Sequence, residues 1–493
     1  MLNKNIQLVQ RALKHDLAKD KFAIKRGNFN NVNETHISYF KNIVGESGVL
    51  TNSDDLEQYN EYWFKHFKGS SKIVLKPKST DEVSKILSFC TENKLAVCPQ
   101  GGNTSISGAS IAVFDEIILS LSRMNNVISL DELSDVLVCE AGCVLEHLNQ
   151  FLADKELMMP IDLASKGSCQ IGGNISTNAG GLRLFRYGSL QGSVLGLEVV
   201  KANGEIVDCM NSMRKDNTGY HLKHLFIGSE GTLGIITKVA IQCVTLPKAI
   251  SVAFLGLESF DKVLATFKSA KQNLNETLSS CEMMDAQSMN MVQSHLKLKS
   301  AIGDFPFYLL LETSGCNGDH NEEKLNNFLE KCLCDGLVQD GTVSGEPSRC
   351  NKLWEVRERF AESMKYDGYV LCYDLSFPLK HFYTLVPELT DILGTKCLRV
   401  CGMGHMGDGN LHLQVSLKEY DEELKQFVDD IVYKRVAELK GSMSAEHGIG
   451  FLKNNILHYT KSPSSINLMH DIKRMLDPLG ILNPYKVLNT SDK

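Results

Sequence analysis

The sequence lacks the features by which a membrane protein or a nucleic-acid-binding protein is most readily recognised. It contains no run of about 18 consecutive apolar residues, which a membrane-spanning helix would need. Its formal net charge is −7, and it has no long basic run. We therefore expect neither a membrane span nor a nucleic-acid partner.

Cysteine is present but is not arranged as a metal or redox motif. The 15 cysteines are scattered through the chain, and no two have the Cys-x-x-Cys spacing. Several, such as Cys90 and Cys139, lie in apolar runs. We expect reduced thiols without disulfides or an iron–sulfur cluster, in a compartment as reducing as the cytosol or the mitochondrial matrix.

The length of 493 residues exceeds what one core usually holds and predicts two or three domains. Near the N-terminus, Leu2, Ile6, Val9 and Leu13 recur with a helical period, and the first acidic residue is Asp16. This pattern is typical of a mitochondrial presequence and equally of an ordinary amphipathic helix, so both interpretations stay open.

The most informative stretch is the glycine-rich segment Pro99–Ser110, which follows the predicted strand Leu95–Cys98. Glycine allows a ligand to approach the backbone closely. Successive backbone N–H groups that turn toward one point form a nest for anions. We interpret the segment as a pyrophosphate cradle, with an ordinary surface turn as the alternative.

Two further glycine-rich segments follow, Pro160–Gly188 and Phe226–Ile236, in which Ser, Thr and Asn are interleaved with glycine. Neither Pro99–Ser110 nor Pro160–Gly188, which lie about sixty residues apart, has the Gly-x-Gly-x-x-Gly pattern that opens a helix in a Rossmann unit. The P-loop pattern Gly-x-x-x-x-Gly-Lys-Ser/Thr is also absent. Two separate polar cradles fit a dinucleotide with a long contact path, such as FAD.

The pattern of apolar residues predicts an α+β protein whose glycine-rich part ends near Pro247. A capping box at Ser79–Glu82 opens a helix whose inner face carries Val83, Ile86, Leu87 and Cys90. Further helices are predicted over 144–155, 260–274 and 322–334. Strands are predicted over 71–77, 114–121, 136–141, 307–312, 369–377, 398–403 and 411–417, with a hairpin around 202–204.

A second kind of chemistry is predicted where His405 and His412 flank a Gly-Asp-Gly turn between two strands. Two imidazoles brought together by a turn, with a distant carboxylate such as Glu446, are a ligand set for zinc or a similar divalent ion. A pair of surface histidines is the alternative. Arg357 lies in a helical stretch, where a solvated ion pair is the simplest interpretation.

In their order along the chain, these motifs make the protein similar to the FAD-linked oxidase superfamily of the vanillyl-alcohol oxidase and p-cresol methylhydroxylase type. Within that superfamily it most resembles the D-2-hydroxyglutarate dehydrogenase family. The resemblance runs from about Ser71 to the C-terminus. Its markers are Pro-Gln-Gly-Gly-Asn-Thr at 99–104, Lys-Gly-Ser-Cys-Gln-Ile-Gly-Gly-Asn at 166–174, Thr-Asn-Ala-Gly-Gly-Leu-Arg at 177–183, Arg-Lys-Asp-Asn-Thr-Gly-Tyr at 214–220, Phe-Ile-Gly-Ser-Glu-Gly-Thr-Leu-Gly-Ile at 226–235, Gly-His-Met-Gly-Asp-Gly-Asn-Leu-His at 404–412 and Ser-Ala-Glu-His-Gly-Ile-Gly at 444–450.

The resemblance implies an α+β fold in four parts. These are an N-terminal extension (1–68), a PCMH-type FAD-binding domain of two α+β subdomains (69–247), an α+β substrate and metal domain with an antiparallel sheet (248–456), and a C-terminal segment that returns to the FAD domain (457–493). FAD is expected to be bound non-covalently. The implied FAD-binding residues are Pro99, Gly101, Gly102, Asn103, Thr104, Ser105, Gly108, Gly167, Gly172, Gly173, Ser176, Thr177, Asn178, Gly180, Gly181, Arg186, Tyr187, Glu230, Gly231, Gly234, Ile235 and Asn483.

The resemblance also implies the chemistry, which is oxidation of a D-2-hydroxy acid by hydride transfer to the flavin. His405, His412 and Glu446 would bind a divalent metal, most simply zinc, and His447 would be the general base. Arg357 would bind a substrate carboxylate. The remaining implied substrate contacts are Ala361, Cys372, Asn410 and Gln414.

Electron-transferring flavoprotein is the electron acceptor that the resemblance implies, with the mitochondrial matrix as the location. A homodimer is one candidate oligomeric state.

The sequence departs from the family at the expected distal end of the substrate site. Ala361, Cys372 and Gln414 stand where threonine, lysine and asparagine are usual in these dehydrogenases, and Ser105 replaces a glycine. Losing a cation from a partly buried anion site costs on the order of 1–3 kcal/mol. Three hypotheses remain: a D-2-hydroxyglutarate dehydrogenase with a rearranged distal pocket, a dehydrogenase of D-lactate or another D-2-hydroxy acid, and a non-catalytic paralogue that binds FAD and metal.

Overall fold

The structure is a computed structural model, and it describes residues 16–22 and 24–489. The candidate presequence pattern of residues 2–13 lies outside the described residues. Within the described ranges, no helix combines the length and the apolar character needed to cross a membrane.

A four-stranded sheet delivers the first glycine-rich segment. Its strand Val97–Gln100 continues directly into that segment and pairs in parallel with Ile117–Ser120. The predicted helix is present as Thr80–Glu92, capped by the Ser79 side chain, and its four predicted inner residues are fully buried. In order across the sheet, the strands are Val49–Leu50, Val74–Leu75, Ile117–Ser120 and Val97–Gln100.

A five-stranded sheet follows and carries the second and third glycine-rich segments on its connections. All four pairings between neighbouring strands are antiparallel. The predicted hairpin is confirmed, because strands Val194–Val200 and Ile206–Cys209 pair on either side of Gly204, whose φ is +84°. In order, the strands are Ile206–Cys209, Val194–Val200, Ile235–Gln242, Val136–Glu140 and Val127–Asp131.

A seven-stranded sheet, antiparallel throughout, forms the second half of the protein, as the resemblance implied. Its strands, in order, are Asp340–Ser344, Ala249–Leu257, Phe307–Gly315, Leu278–Asp285, Arg399–His405, Asn410–Leu417 and Tyr369–Ser376. Helices cover both faces and bury a core on each. One core takes helices Phe260–Asn273, Gly318–Cys334, Leu385–Leu393 and Glu422–Glu438, and the other takes Ala286–Leu296 and Pro347–Glu358.

The remaining elements are shorter or lie between the sheets. The helices are Ala18–Lys21, Glu34–Val44, Ser53–Asn60, Leu145–Ala153, Ile171–Thr177, Leu184–Tyr187, Leu190–Ser193, Phe360–Ser363 and Pro463–Leu476. Two small sheets pair Asp16–Leu17 with Phe67–Lys68, and Leu157–Met158 with Val244–Thr245.

The C-terminal segment returns to the strand that leads into the first glycine-rich segment. The Val97 N–H donates to the Ile481 carbonyl at 2.8 Å, and the Asn483 N–H donates to the Val97 carbonyl at 2.7 Å. The Asp477 carboxylate holds the turn by accepting from the backbone N–H groups of Ile481 and Leu482. The segment therefore pairs in parallel with strand Val97–Gln100, through a bridge between Val97 and Leu482.

Leu482→Ala tests whether this return stabilises the protein. Leu482 is completely buried, so the truncation should lower the free energy of unfolding by about 2–5 kcal/mol through lost burial and the cavity left behind. Leu479→Ala, three residues earlier and 43% exposed, is the matched control and should change stability little. Chemical denaturation of both variants measures the difference; equal stabilities would show that the returning segment contributes little.

Candidate active site

A cavity of 740 Å³ lies where the glycine-rich segments meet the seven-stranded sheet. Its volume is within the range of cofactor and ligand sites in proteins. One part of the wall is backbone from the glycine-rich segments. Another part carries the predicted metal ligands and Arg357. The predicted cofactor-binding segments and the predicted metal and substrate residues therefore line one cavity.

Most of the residues that the sequence predicted to bind a cofactor line this cavity. They are Pro99, Gly101, Gly102, Asn103, Thr104, Ser105, Gly172, Gly173, Ser176, Thr177, Gly181, Glu230, Gly231, Gly234 and Ile235. The others lie outside the lining: Gly108, Gly167, Asn178, Gly180, Arg186, Tyr187 and Asn483.

The cradle has the close backbone approach that a dinucleotide needs, and two unpaired polar atoms lie buried beside it. A Cβ on Gly102 would lie 2.0 Å from the Ser168 carbonyl oxygen, so no larger residue fits there without moving the backbone. Two buried cavity-lining amide oxygens, Gln170 Oε1 and Asn174 Oδ1, accept no hydrogen bond from the described residues. Since buried polar atoms are normally paired, these oxygens are an exception in the wall of the cradle. FAD fits this site because the glycine-rich backbone lines a cavity of cofactor size.

Two predicted cofactor residues hold protein segments together. The buried Glu230 carboxylate accepts from the backbone N–H groups of Ile449 at 2.6 Å and Gly450 at 2.8 Å. The Asn483 side-chain amide donates to the carbonyls of Ala109 and Glu230. Glu230 therefore ties the third glycine-rich segment to the loop that carries Glu446.

His405, His412 and Glu446 bring three donor atoms to one point. His405 ends its strand, and His412 lies on the antiparallel neighbour, as the sequence predicted. The three separations among the two Nε2 atoms and Glu446 Oε1 are each 3.4 Å. Tetrahedral zinc with bonds of about 2.0–2.1 Å requires donors about 3.4 Å apart, so the triangle fits such an ion.

The other face of each donor group is already occupied, which fixes its orientation. His405 Nδ1 is 2.7 Å from Glu282 Oε1. Glu446 Oε2 accepts from the Gly181 backbone N–H at 2.7 Å, which leaves Oε1 toward the imidazoles. A carboxylate behind a ligating histidine is the usual arrangement in metal sites. Although burial opposes it, the imidazoles of His405 and His412 hold the pKa of Glu446 well below its usual range.

Asp374 lies behind two imidazoles and orients them. Its carboxylate accepts from the Asn410 side chain and from the backbone N–H groups of Glu446 and His447, at 2.8–2.9 Å. It also lies 3.7 Å from His412 Nδ1 and 3.6 Å from His447 Nδ1. Although burial opposes it, the His447 imidazole and Lys453 hold the pKa of Asp374 at about 2.

Asp374, His412, Glu446 and His447 also form a four-residue group whose candidate ligand atoms lie within 4.8 Å of one another. We favour the triangle with His405, because the Asp374 oxygens already accept three N–H groups and face Nδ1, on the outer side of the His412 ring.

His447 stacks on His412, with ring centroids 5.3 Å apart and an interplanar angle of 13°. Burial lowers its pKa below the usual value, although Asp374 opposes this, so the imidazole is neutral near pH 7. A neutral imidazole whose Nδ1 faces a carboxylate can accept a proton at Nε2.

Arg357 is not the solvated ion pair that its sequence context favoured. Its Nε and Nη2 atoms both lie 2.9 Å from Oε2 of Glu282, which is 1% exposed. Glu282 therefore bridges Arg357 and His405. Neither Glu282 nor Asp374 was predicted to have a role, although each is a charged residue in a mostly apolar strand. That is the sequence signal for a buried, paired carboxylate.

The predicted distal residues divide into two groups. Ala361, Cys372 and Gln414 line the cavity, and Cys372 is opposite Gln414 on the neighbouring strand. Burial raises the pKa of the Cys372 thiol to about 12, so it is neutral. Asn410 lies outside the lining, because its amide donates to Asp374 and to the Leu375 carbonyl.

Comparisons with known proteins match both halves of the chain. Residues 71–210 match the FAD binding domain family, and residues 246–487 match the C-terminal domain of FAD linked oxidases. The mitochondrial D-2-hydroxyglutarate dehydrogenase of Rattus norvegicus is 50% identical over 472 residues, covering 96% of this chain and 88% of the rat protein. The enzyme of the same name from Danio rerio is 50% identical over 460 residues, covering 93% and 86%.

Among solved structures, p-cresol methylhydroxylase with bound substrate superposes with a TM-score of 0.73, covering 94% of this chain and 99% of that one. The sequence identity is 16%, so this likeness shows the fold alone.

Gly102→Ala tests the cradle. Because the added Cβ would clash with the backbone of Ser168, we expect the affinity for flavin to fall by at least about tenfold, the equivalent of 1.4 kcal/mol, so that less flavin stays bound. Gly192→Ala, where a Cβ would meet nothing within 4 Å, is the matched control and should keep its flavin. The flavin absorbance per chain after gel filtration measures both, and full flavin in Gly102→Ala would contradict the assigned cradle.

Proposed function

Since the chain belongs to the FAD-linked oxidases, within the group of the D-2-hydroxyglutarate dehydrogenases, we propose that it oxidises D-2-hydroxyglutarate to 2-oxoglutarate in the cavity described above. The protein is an FAD-dependent hydroxy acid dehydrogenase. The observation that carries the proposal is that the donor triangle, His447 and Arg357 all line the cavity that the FAD cradle forms.

FAD would be held by the cavity-lining backbone of the three glycine-rich segments. Bound there, it supplies the acceptor for the hydride that leaves carbon 2 of the substrate. The chain offers no evident histidine for covalent attachment in the cradle, so we propose non-covalent FAD.

A divalent metal, which we propose to be zinc, would be held by His405, His412 and Glu446. Bound there, such an ion lowers the pKa of a coordinated hydroxyl group. The donor types and their equal spacing support this assignment. Glu282 and Asp374 keep both Nε2 atoms turned toward the site, because each faces the Nδ1 atom of one ligand imidazole.

Arg357 and His447 would supply the remaining functions, which are substrate binding and proton transfer. Arg357 binds a substrate carboxylate through the guanidinium edge that Glu282 leaves free. His447 accepts the hydroxyl proton at Nε2, while Asp374 faces its Nδ1.

We further propose that the reduced enzyme passes its electrons to an electron-transferring flavoprotein in the mitochondrial matrix. The support is the family resemblance together with the word mitochondrial in the names of both relatives. A homodimer remains the candidate oligomeric state.

A second candidate substrate is a D-2-hydroxy monocarboxylate such as D-lactate. The observation that favours it is the distal wall, where Ala361 and the neutral Cys372 thiol supply no charge for a second carboxylate.

Anaerobic reduction of the flavin tests the proposed function. The zinc-loaded enzyme is mixed with D-2-hydroxyglutarate, its L enantiomer, D-malate and D-lactate, and the loss of flavin absorbance is followed. We expect the fastest reduction with D-2-hydroxyglutarate and none with the L enantiomer. Faster reduction by D-lactate would favour the second candidate, and no reduction by any acid would favour a non-catalytic paralogue.

Glu282→Gln tests whether Glu282 positions both the proposed metal ligand His405 and the proposed substrate-binding residue Arg357. The amide keeps the shape but removes the charge shared by His405 and Arg357. We expect zinc affinity to fall by about 10–100-fold and the KM for the hydroxy acid to rise. Glu276→Gln, at an exposed surface ion pair, is the matched control. Metal content after dialysis and steady-state kinetics measure the effects; unchanged zinc retention would contradict the role of Glu282.

A further inference from the structure

One cation of the cavity wall has no carboxylate partner. Lys365 lies in a short turn of helix, Met364–Tyr366, that follows the helix carrying Ala361, and it lines the same cavity as Arg357. Its Nζ atom lies 4.4 Å from the centroid of the Trp63 ring. Among the residues that the structure describes, no Asp or Glu makes an ion pair with it.

The two arginines of the wall each make an ion pair with a carboxylate of the protein. Arg357 shares the buried Glu282 carboxylate with His405. Arg359 pairs with Glu355 at 2.8 Å and with Glu362 at 2.8 Å. Lys365 is therefore the lysine or arginine of this part of the described cavity that makes no ion pair, although Glu362 acts on it electrostatically and Glu358 also lines the cavity.

Trp63 gives the Lys365 ammonium a defined place. The indole face attracts a cation without cancelling its charge, which a carboxylate would do. Trp63 itself packs edge-to-face on Phe64, with centroids 4.9 Å apart. Both aromatic residues line the cavity, so the ammonium rests on the cavity wall and remains able to bind an anion.

The wall beside Lys365 is apolar. Ala361 and Cys372 pack against the buried cluster that includes Phe360, Met364 and Met403. Such a surface suits the methylene groups of a hydroxy acid. A carboxylate at the end of those methylene groups needs a cation, and position 372 offers only a neutral thiol.

We infer that Lys365, held on Trp63, binds the second carboxylate of a dicarboxylic D-2-hydroxy acid, at the end remote from the hydroxyl. This inference rests on the proposed function and specifies its substrate class. The cation of the distal site then comes from the helical turn at 364–366 instead of from the strand that carries Cys372.

Lys365→Met removes the charge and keeps most of the side-chain length. The KM for D-2-hydroxyglutarate should rise about tenfold, by the loss of one charge-assisted hydrogen bond, while kcat changes little. The KM for D-2-hydroxyvalerate, whose terminal methyl replaces the second carboxylate, should not change. Lys434→Met, at an exposed position of helix Glu422–Glu438, is the matched control and should resemble the wild type.

Equilibrium binding gives a readout that does not depend on turnover. Titration of the oxidised enzyme with 2-oxoglutarate, followed by flavin difference spectra, should show the same loss of affinity in Lys365→Met. Trp63→Leu should show a smaller loss in the same direction, because the ammonium loses its platform but keeps its charge.

The outcomes separate this inference from the proposed function. If the wild type prefers D-2-hydroxyglutarate and Lys365→Met keeps its KM, the inference is wrong and the proposed function stands. If the wild type prefers D-2-hydroxyvalerate, both the inference and the proposed substrate are wrong. If the KM values for D-2-hydroxyglutarate and D-2-hydroxyvalerate rise equally in Lys365→Met, the lysine supports the structure of the cavity wall and does not bind the second carboxylate. The inference is then also wrong.

Discussion

The Glu446 carboxylate makes the contacts on which the relative position of the glycine-rich segments and the seven-stranded sheet depends. One of its oxygens accepts from the Gly181 backbone N–H in the second glycine-rich segment, and the other faces His405 and His412 on the seven-stranded sheet. The loop that carries Glu446 is held a second time by Glu230, from the third glycine-rich segment. The flavin cradle and the proposed metal site are therefore positioned by the same two carboxylates.

The arrangement buries charged carboxylates, and the partners of these carboxylates explain how the neighbouring imidazoles are oriented. An unpaired carboxylate in a protein interior is strongly unfavourable. Glu282 lies between Arg357 and His405, and Asp374 accepts from two backbone N–H groups and one side-chain amide. These partners hold each carboxylate in place, and each carboxylate in turn faces the Nδ1 atom of an imidazole. The same contacts that stabilise the buried carboxylates therefore also orient the imidazoles of the site.

The sequence predicts the parts of this structure that depend on local pattern. The helix with Val83 and Leu87 inward, the hairpin at Gly204 and the histidine turn are all found where local spacing predicts them. The antiparallel sheet and the FAD-binding family follow from the ordered motifs and are confirmed. The division into four domains remains a prediction.

Contacts between residues that are far apart in the sequence could not be predicted from local pattern. Glu282 is 75 residues from Arg357 and 123 residues from His405. Strand register places Glu282 opposite His405, and the packing of helix Pro347–Glu358 on the sheet brings Arg357 to the same carboxylate. The same limit explains Asn410, whose motif position favours a substrate contact but whose amide is used by Asp374. Lys365 carries no motif at all, and its relation to the site depends on the approach of Trp63 from a distant segment.

Flavin reduction by D-2-hydroxyglutarate in metal-stripped and metal-reloaded enzyme, with the bound metal counted in each state, tests the proposed metal-dependent oxidation most directly. We expect one divalent ion per chain. Stripping should abolish reduction while the flavin stays bound, and zinc should restore reduction in the wild type but not in His412→Ala. Equal reduction rates with and without metal, or no stoichiometric metal in the active wild type, would contradict the proposed metal dependence.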